Sequence, residues 1–290
     1  MQIPPLLALT LAAAVDEGSL EAAADALHIT PPAVSQRIRQ LEHVTGQVLL
    51  VRSRPVRATE AGVAVIRFAR QILQLEATTR QQLGLTRERI TLPIAVNADS
   101  LATWLLAPLA ELATKHAVTF DLRRDDQEHT LDLLAQGVVL AAVTSRAAAI
   151  PGCSVRPLGA MRYRAAANPA FVREWFPHGV TADALALAPV VDFDGNDDLQ
   201  SRWLQRAGAD PDAPPRHRIP STAEMTQAIR MGMGWGLVIS NPEDATALDL
   251  VPLGEAEITV PLYWQQWRAP SPLLDAVADG LTEAARRALA

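Results

Sequence analysis

The sequence predicts a multi-domain chain with an all-α N-terminal unit, one long helix and a C-terminal α/β module. The chain has 290 residues, a length that suits two or three compact units. Apolar residues recur at helical spacing as far as Gly46, and a longer amphipathic pattern follows from Thr59. From Arg89 onward, strand-like runs alternate with amphipathic helices. These changes of pattern define the three parts.

The N-terminal unit contains two short helices that meet at a break, after a first helix at residues 6–15. The two apolar stripes are Ala22, Ala23, Ala26 and Leu27, then Val34, Ile38 and Leu41. We expect the Thr30 hydroxyl to cap the second of these helices, whose first turn suits Pro31 and Pro32. The polar side of that helix carries groups that contact phosphates and base edges: Ser35, Gln36, Arg37, Arg39 and Gln40. This is the pattern of a helix-turn-helix with its recognition helix.

A basic wing is predicted directly after these helices. Residues 48–51 suggest a strand, and residues 52–55 suggest a tight turn that leads back to a second short strand. Arg52 and Arg54 would lie in that turn, beside the recognition helix. The alternative is that these two arginines are only solvated charges on a loop. It is disfavoured because the wing pattern and the helix pattern occur together. The net charge of −6 does not exclude DNA binding, since phosphates respond to the local field, screened over roughly 10 Å.

The long helix is expected to begin at Thr59, as its cap, and to end near Gly84. Its apolar residues include Val63, Ile66, Phe68, Ile72, Leu73 and Leu75. Without a partner, this helix would leave a hydrophobic strip in water. We therefore expect the helix to dimerise the chain.

The C-terminal module is predicted to contain strands at residues 89–98, 118–122, 138–144, 161–167, 190–193, 237–240 and 260–267. Helices are expected at residues 100–112 and 130–136, and a last helix at 271–289 that packs back on the first sheet. The βαβα order predicts a parallel sheet with right-handed crossovers.

Several classes of protein are disfavoured by the sequence. No apolar run is long enough to span a bilayer, and no basic residue precedes the apolar N-terminus, which argues against a signal peptide. We expect a cytoplasmic protein. Cys153 is the only cysteine, so we expect a buried structural thiol and no disulfide within the chain. An enzyme using Ser100 or His129 is disfavoured because no catalytic or metal-ligand motif is present; we expect no cofactor.

The chain resembles the LysR-type transcriptional regulators. The likeness rests on the pattern GSxxxAAxxLxxxxxAVSxxIxxLE from Gly18 to Glu42, followed by Gly46, Leu50, Arg52, Thr59 and Gly62. A closer likeness, to the ArgP/LysG subgroup of basic-amino-acid exporter activators, rests on residues 31–52, 95–105 and 261–267. Most members of the family have phenylalanine where this chain has Leu50–Val51, a departure that is typical of the subgroup.

The resemblance implies a winged helix-turn-helix domain at residues 1–58 and a linker helix at 59–88. It implies an effector module of two subdomains similar to periplasmic binding proteins, at residues 89–160 with 268–290, and at 161–267. The implied partners are double-stranded promoter DNA, lysine or arginine as effector, a homodimer or homotetramer, and RNA polymerase. The implied target is an amino-acid exporter gene. The family's DNA contacts fall on Pro31, Pro32, Ser35, Gln36, Arg39, Arg52 and Arg54.

The effector contacts are expected where strands end and helices begin. Ser100 follows a strand and would bind an α-carboxylate at a helix N-terminus, although Asp99 or Ser100 could simply cap that helix. Asp126 would neutralise a cationic group of the effector. The alternative is that the acidic residues around Asp126 are only solvated charge on a loop. Glu224 could likewise bind a cationic group of the effector, or it could cap the helix in which it lies. The candidate residues are Asn97, Asp99, Ser100, Asp126, His129, Thr130, Thr144, Asp192 and Glu224.

Three alternatives remain at this point. The first is a regulator of the same family with a different effector and regulon. The second is a solute-binding protein, which predicts a secretion signal and no helix-turn-helix. The third is an architectural DNA-compacting protein, which leaves the ligand-binding module unexplained.

Overall fold

The computed structural model describes residues 2–85, 89–124, 127–240, 249–268 and 271–289, without the side chains at 81, 82 and 127–130. The N-terminal unit consists of α1 (Pro5–Asp16), α2 (Leu20–Ala26) and α3 (Pro31–Thr45). Leu11, Val34 and Leu41 are fully buried between these helices. The predicted helix-turn-helix is therefore confirmed, and its apolar stripes form the core of this unit.

The expected cap at Thr30 is wrong, although Thr30 does occupy the N-cap position. Its side chain makes no capping hydrogen bond, and its carbonyl instead accepts from the Ala33 N–H at 2.9 Å. The reason is local: Pro31 and Pro32 have no N–H at the first two helical positions, so a capping hydroxyl has little to accept. At the other end, Gly46 adopts a left-handed φ of 66° and terminates α3.

The wing is confirmed as a two-stranded antiparallel hairpin of β1 (Leu50–Val51) and β2 (Arg57–Ala58). The linker helix α4 (Glu60–Gln82) follows, and the Thr59 hydroxyl caps it by accepting from the Gly62 N–H at 3.0 Å.

The first half of α4 packs one face against α1. Val65, Ile66 and Ala69 are buried in the core shared with α1. Leu73 and Leu75 remain 49% and 59% exposed.

The C-terminal module has eight strands and eight helices in the part of the chain that the structure describes. The strands are β3 (Ile90–Val96), β4 (Val118–Arg124), β5 (Ala141–Thr144), β6 (Cys153–Ala167), β7 (Val190–Asp192), β8 (Arg216–Arg218), β9 (Gly236–Ile239) and β10 (Val251–Trp267). The helices are α5 (Ala98–Ala102), α6 (Leu106–Lys115), α7 (Gln127–Ala135), α8 (Pro169–Trp175), α9 (Ala182–Leu187), α10 (Leu199–Arg206), α11 (Thr222–Arg230) and α12 (Pro272–Ala288). The predicted helix at 100–112 is thus two helices.

The main sheet is mixed, so the prediction of a parallel sheet is wrong for part of it. Its strand order is β4-β3-β5-β10-β6-β9. The β3 strand pairs in parallel with β4 and β5, as predicted, but β10 runs antiparallel to both β5 and β6. The long strands β6 and β10 have 15 and 17 residues. The sequence predicted only their second halves, because prolines and glycines such as Pro157 and Gly254 interrupt the strand pattern earlier on.

Packing around this sheet agrees with two further predictions. The last helix, α12, packs on β6 and α6. Cys153 is 1% exposed, and this burial raises the pKa of its thiol to about 11. The β8 strand was not predicted, because its sequence is Arg-His-Arg; it pairs in parallel with β7. Among the described residues, no helix is both long and apolar enough to cross a membrane.

Candidate DNA-binding face and ligand cleft

The recognition helix α3 presents most of its predicted contact residues to solvent. Pro31, Pro32, Gln36 and Arg39 are exposed, and Ser35 is half-buried. The Arg39 Nε donates to the Ser35 carbonyl at 3.2 Å, so this side chain lies along the helix.

Arg37 points elsewhere. Its Nη1 donates to the Thr10 hydroxyl at 3.4 Å, which turns the side chain toward α1. Its polar character therefore does not place it on the exposed face of α3.

The wing carries its charge at its tip. Arg52 and Arg54 are exposed in the turn between β1 and β2, and the Ser53 hydroxyl donates to the Pro55 carbonyl at 2.6 Å within that turn. No ion pair joins Arg39, Arg52 or Arg54 to a carboxylate in the described ranges of the chain. Their charges are therefore available to phosphates.

The C-terminal module contains a cleft of about 650 Å³. Its walls come from the N-terminal end of α5, the β6 and β10 strands, the loop after β7, and α11. Asn97 and Asp99 line it, as the sequence predicted. A volume of this size is typical of small-molecule sites.

Asp99 joins opposite walls of the cleft. One carboxylate oxygen accepts from the Tyr163 hydroxyl on β6 at 2.6 Å, and the other accepts from the Thr222 hydroxyl on α11 at 2.7 Å. Burial, with the adjacent charge of Asp99, raises the pKa of Tyr163 well above its ordinary value, so Tyr163 stays a donor. Asp99 is thus held by two donors, and further lone pairs remain for a ligand.

Two predicted residues are buried behind the cleft. The Ser100 hydroxyl is fully buried and lies 4.0 Å from the Met161 sulfur. Thr144 is 1% exposed, and its hydroxyl accepts from the Arg146 N–H at 3.2 Å. Neither residue is among those that line the cleft, whereas Arg146 is. Both therefore support the walls.

Asp192 and Glu224 have partners within the chain. Asp192 is 2% exposed and forms an ion pair with Arg216 at 2.6 Å. Glu224 is exposed and accepts from the Ser221 hydroxyl, which lowers the pKa of its carboxyl. Ser221 is the N-cap residue of α11 and makes no side-chain capping hydrogen bond, so Glu224 contacts the Ser221 side chain without capping the helix. Asp126 and the side chains of His129 and Thr130 lie outside the described residues.

The structure adds an acidic loop to the cleft that the sequence predictions omitted. The loop between β7 and α10 contributes Asp194, Asp197 and Asp198 to the lining. Asp198 pairs with Arg202 at 3.6 Å. In the sequence, these three aspartates follow a predicted strand. The prediction of effector contacts chose Asp192 instead, because Asp192 lies at the end of that strand.

Asp197 is the most perturbed carboxyl of this loop. Its oxygens accept from the backbone N–H groups of Leu199 at 3.0 Å and Phe193 at 3.3 Å. Burial first, and then the charges of Asp192 and Asp99, raise the pKa of its carboxyl to about 6, against the lowering effect of the two hydrogen bonds. No cation forms an ion pair with Asp197 in the described part of the chain. Within that part, its charge is stabilised by backbone N–H groups and is not balanced by a cationic side chain.

The cleft thus combines an acidic side with a cation. Asp99 and Asp197 supply negative charge, and Arg146, in the loop after β5, supplies positive charge. Such a cleft can hold a molecule that carries both an anionic and a cationic end. Among the described residues, no group of three or more His, Cys, Asp or Glu side chains could hold a metal ion.

Comparison with known proteins shows two matching family models. Residues 7–63 match the bacterial regulatory helix-turn-helix protein, lysR family, and residues 86–286 match the LysR substrate binding domain. The chain is 43% identical over 284 residues to the HTH-type transcriptional regulator LysG of Mycobacterium tuberculosis, covering 95% of this chain and 91% of that one. It is 41% identical over 287 residues to the lysine export transcriptional regulatory protein LysG of Corynebacterium glutamicum, covering 97% of each.

Two solved structures share the full architecture. The crystal structure of ArgP from Mycobacterium tuberculosis superposes with a TM-score of 0.90 at 40% identity, covering 98% of each chain. The full-length LysG of Corynebacterium glutamicum with bound effector Arg superposes with a TM-score of 0.85 at 39% identity, covering 99% of each chain.

Proposed function

The chain belongs to the LysR family of bacterial regulatory helix-turn-helix proteins, and from this premise we propose that it regulates transcription in response to lysine or arginine. The observation that carries the choice of effector is the carboxylate of Asp197, which no cationic side chain balances in the described part of the chain, next to Asp99 in the same cleft. A partly buried carboxylate is costly without a partner, and a cationic ligand removes that cost.

A basic amino acid matches both ends of the cleft. Its side-chain cation and α-ammonium complement Asp99 and Asp197, and its carboxylate complements Arg146. We keep Asn97, Asp126, His129 and Thr130 as proposed contacts, and assign Ser100, Thr144, Asp192 and Glu224 to support of the walls. The bound effector Arg of the Corynebacterium glutamicum LysG supports this class of ligand.

The proposed output is control of an amino-acid exporter gene, by analogy with the lysine export regulator of Corynebacterium glutamicum. The proposed DNA contacts are Pro31, Pro32, Ser35, Gln36, Arg39, Arg52 and Arg54. A homodimer or homotetramer, joined through the exposed face of α4, would present two recognition helices about one turn of DNA apart. RNA polymerase is a further proposed partner, the cytoplasm the proposed location, and no catalytic role is proposed.

We propose the same division of the chain that the sequence suggested. The units are residues 1–58 for DNA binding and 59–88 for dimerisation, with effector subdomains at 89–160 with 268–290 and at 161–267. The helix-turn-helix disfavours a pure solute-binding protein. A regulator of the same family with a different effector and regulon is the remaining alternative, and the acidic cleft disfavours a neutral or anionic effector.

Calorimetric titration tests the effector class. Lysine or arginine should bind, whereas norleucine, which keeps the carbon chain of lysine without its ammonium group, and citrulline, the neutral isostere of arginine, should not. Binding of citrulline as tight as that of arginine, or no heat with either basic amino acid, would contradict the proposal.

A further inference from the structure

The effector module contacts the linker helix α4 through two arginines. The Arg67 guanidinium carbon lies 4.6 Å from the centroid of the Trp267 ring, at the end of β10. Three residues further along α4, Arg70 Nη1 donates to the Gln136 carbonyl at 3.0 Å. Both contacts join the helix to the same side of the effector module.

Arg70 also reaches the DNA-binding unit. Its second terminal nitrogen forms an ion pair with Asp16, the last residue of α1. The Arg70 side chain is 18% exposed and the Asp16 side chain is 49% exposed, so solvent reaches this pair from the Asp16 side. One guanidinium group therefore links α1, α4 and the loop after α7.

The backbone of that loop lies directly against α4. Gly137 has a left-handed φ of 68°, and a Cβ atom there would lie 3.2 Å from the Cα atom of Arg67. A larger residue would push the loop away from the helix. The close approach is thus specific to glycine and brings Gln136 within reach of Arg70.

The β10 strand connects this contact to the ligand cleft. Thr259, Val260 and Pro261 line the cleft, and Trp267 ends the same strand six residues beyond Pro261. At the usual rise per residue, that separation is about 20 Å. The β10 strand is hydrogen-bonded to β6 along its length and to β5 at residues 263–266, so it forms a continuous sheet connection from the cleft wall to Trp267.

We propose that Asp16, Arg67, Arg70, the Gln136 carbonyl and Trp267 form a coupling clamp, which transmits ligand occupancy of the cleft to the orientation of the DNA-binding unit. Arg67 and Arg70 are positioning residues in this role, since neither touches the ligand or the DNA face. The clamp rests on the proposed function, because binding of the ligand in the cleft is the event that it transmits. A ligand alters DNA binding only if it favours one arrangement of the two parts, and the clamp is the contact that differs between arrangements.

Coupling is tested with Arg70→Gln and Asp16→Asn. Arginine affinity by calorimetry and promoter affinity without arginine should remain those of the parent chain. The ratio of promoter affinities with and without arginine should fall by roughly 2- to 30-fold. Arg80→Gln, an exposed arginine on the same helix, should keep the parent ratio. An unchanged ratio in the clamp variants, or an equal fall in Arg80→Gln, would overturn the proposal.

A second measurement does not depend on the effector. Because Cys153 is buried and its thiol pKa is raised, spin labels can be attached selectively at Glu21→Cys on α2 and Arg287→Cys on α12. Labelled chains diluted with unlabelled ones should give a narrow distance distribution, which broadens in Arg70→Gln and Asp16→Asn. Identical distributions would overturn the clamp. If arginine fails to bind the parent chain, the proposed function fails, whereas these distances still show whether Asp16 and Arg70 hold the DNA-binding unit against the effector module.

Discussion

Two aspartates at the end of one strand show how residues of the same type acquire different roles. Asp192 meets Arg216, which lies 24 residues later on β8, and becomes a buried ion pair. Asp197 forms no ion pair with a cation among the described residues, and the pKa of its carboxyl is raised. Sequence spacing favoured Asp192 as the ligand residue, because the pairing of β8 with β7 was not visible in it.

Asp197→Asn should weaken binding of lysine or arginine by roughly 2 kcal/mol or more, about 30-fold, since it removes one partner of a desolvated charge pair. Asp212→Asn, an exposed aspartate that does not line the cleft, is the matched control and should bind like the parent. Calorimetry measures both. Equal affinities in the two variants would remove Asp197 from the site.

Effector affinity should rise as the pH rises through about 6, where Asp197 ionises, and this step should be absent in Asp197→Asn.

The contribution of Asp197 to the free energy of unfolding should change with pH in the opposite direction. The folded pKa lies above the ordinary value of 3.8, so the folded chain binds this proton more tightly than the unfolded chain. The stability contribution of Asp197 is therefore complete below pH 3.8 and is lost as the pH rises through about 6. Calorimetry and urea unfolding across this range check both signs.

Gln36→Ala should lower specific promoter affinity by about 1–3 kcal/mol, the usual value of one bidentate base contact. Arg37→Gln is the matched control, because Arg37 is on the same helix but faces Thr10. Footprinting and far-UV circular dichroism should show lost protection with an intact fold. A footprint that Gln36→Ala leaves unchanged would contradict the assigned face of α3.

Among the elements, α4 was predicted as one continuous apolar strip, and the structure divides that strip. Its first half is buried against α1, and the part around Leu73 and Leu75 is exposed. Periodicity could not separate the two parts, because apolar residues in both obey the same helical spacing. The exposed part is the one that needs a second copy of the chain.

Leu73→Glu combined with Leu75→Glu should weaken dimerisation by about 3 kcal/mol or more, the burial energy of two leucine side chains at the lower limit. Ala182→Glu, which places the same charge at an exposed position of α9, should leave it intact. Sedimentation velocity over a range of concentrations distinguishes the two outcomes. A dimer that survives the double substitution would place the interface elsewhere.

For the whole molecule, the mixed sheet decides where the ligand cleft lies. The antiparallel strands β6 and β10 lie between the strands β3–β5 and the strand β9, so both sides of the cleft share one continuous sheet. A purely parallel sheet, as the sequence suggested, would not bring Tyr163 and Val260 to the same cavity. The coupling clamp depends on the same feature, because β10, paired with β6, reaches from the cleft to Trp267.

By itself, the sequence determined the family, the helix-turn-helix, the wing, the cap at Thr59 and the order of most strands. These features depend on periodicity, capping and turn residues within a few positions along the chain. Only the tertiary structure decided which carboxylates line the cleft. Asp99 is held by hydroxyls 64 and 123 residues away, and Asp192 is neutralised by an arginine on an unpredicted strand. Burial and ion pairing depend on residues that are neighbours in space, and the local sequence pattern does not show which residues those are.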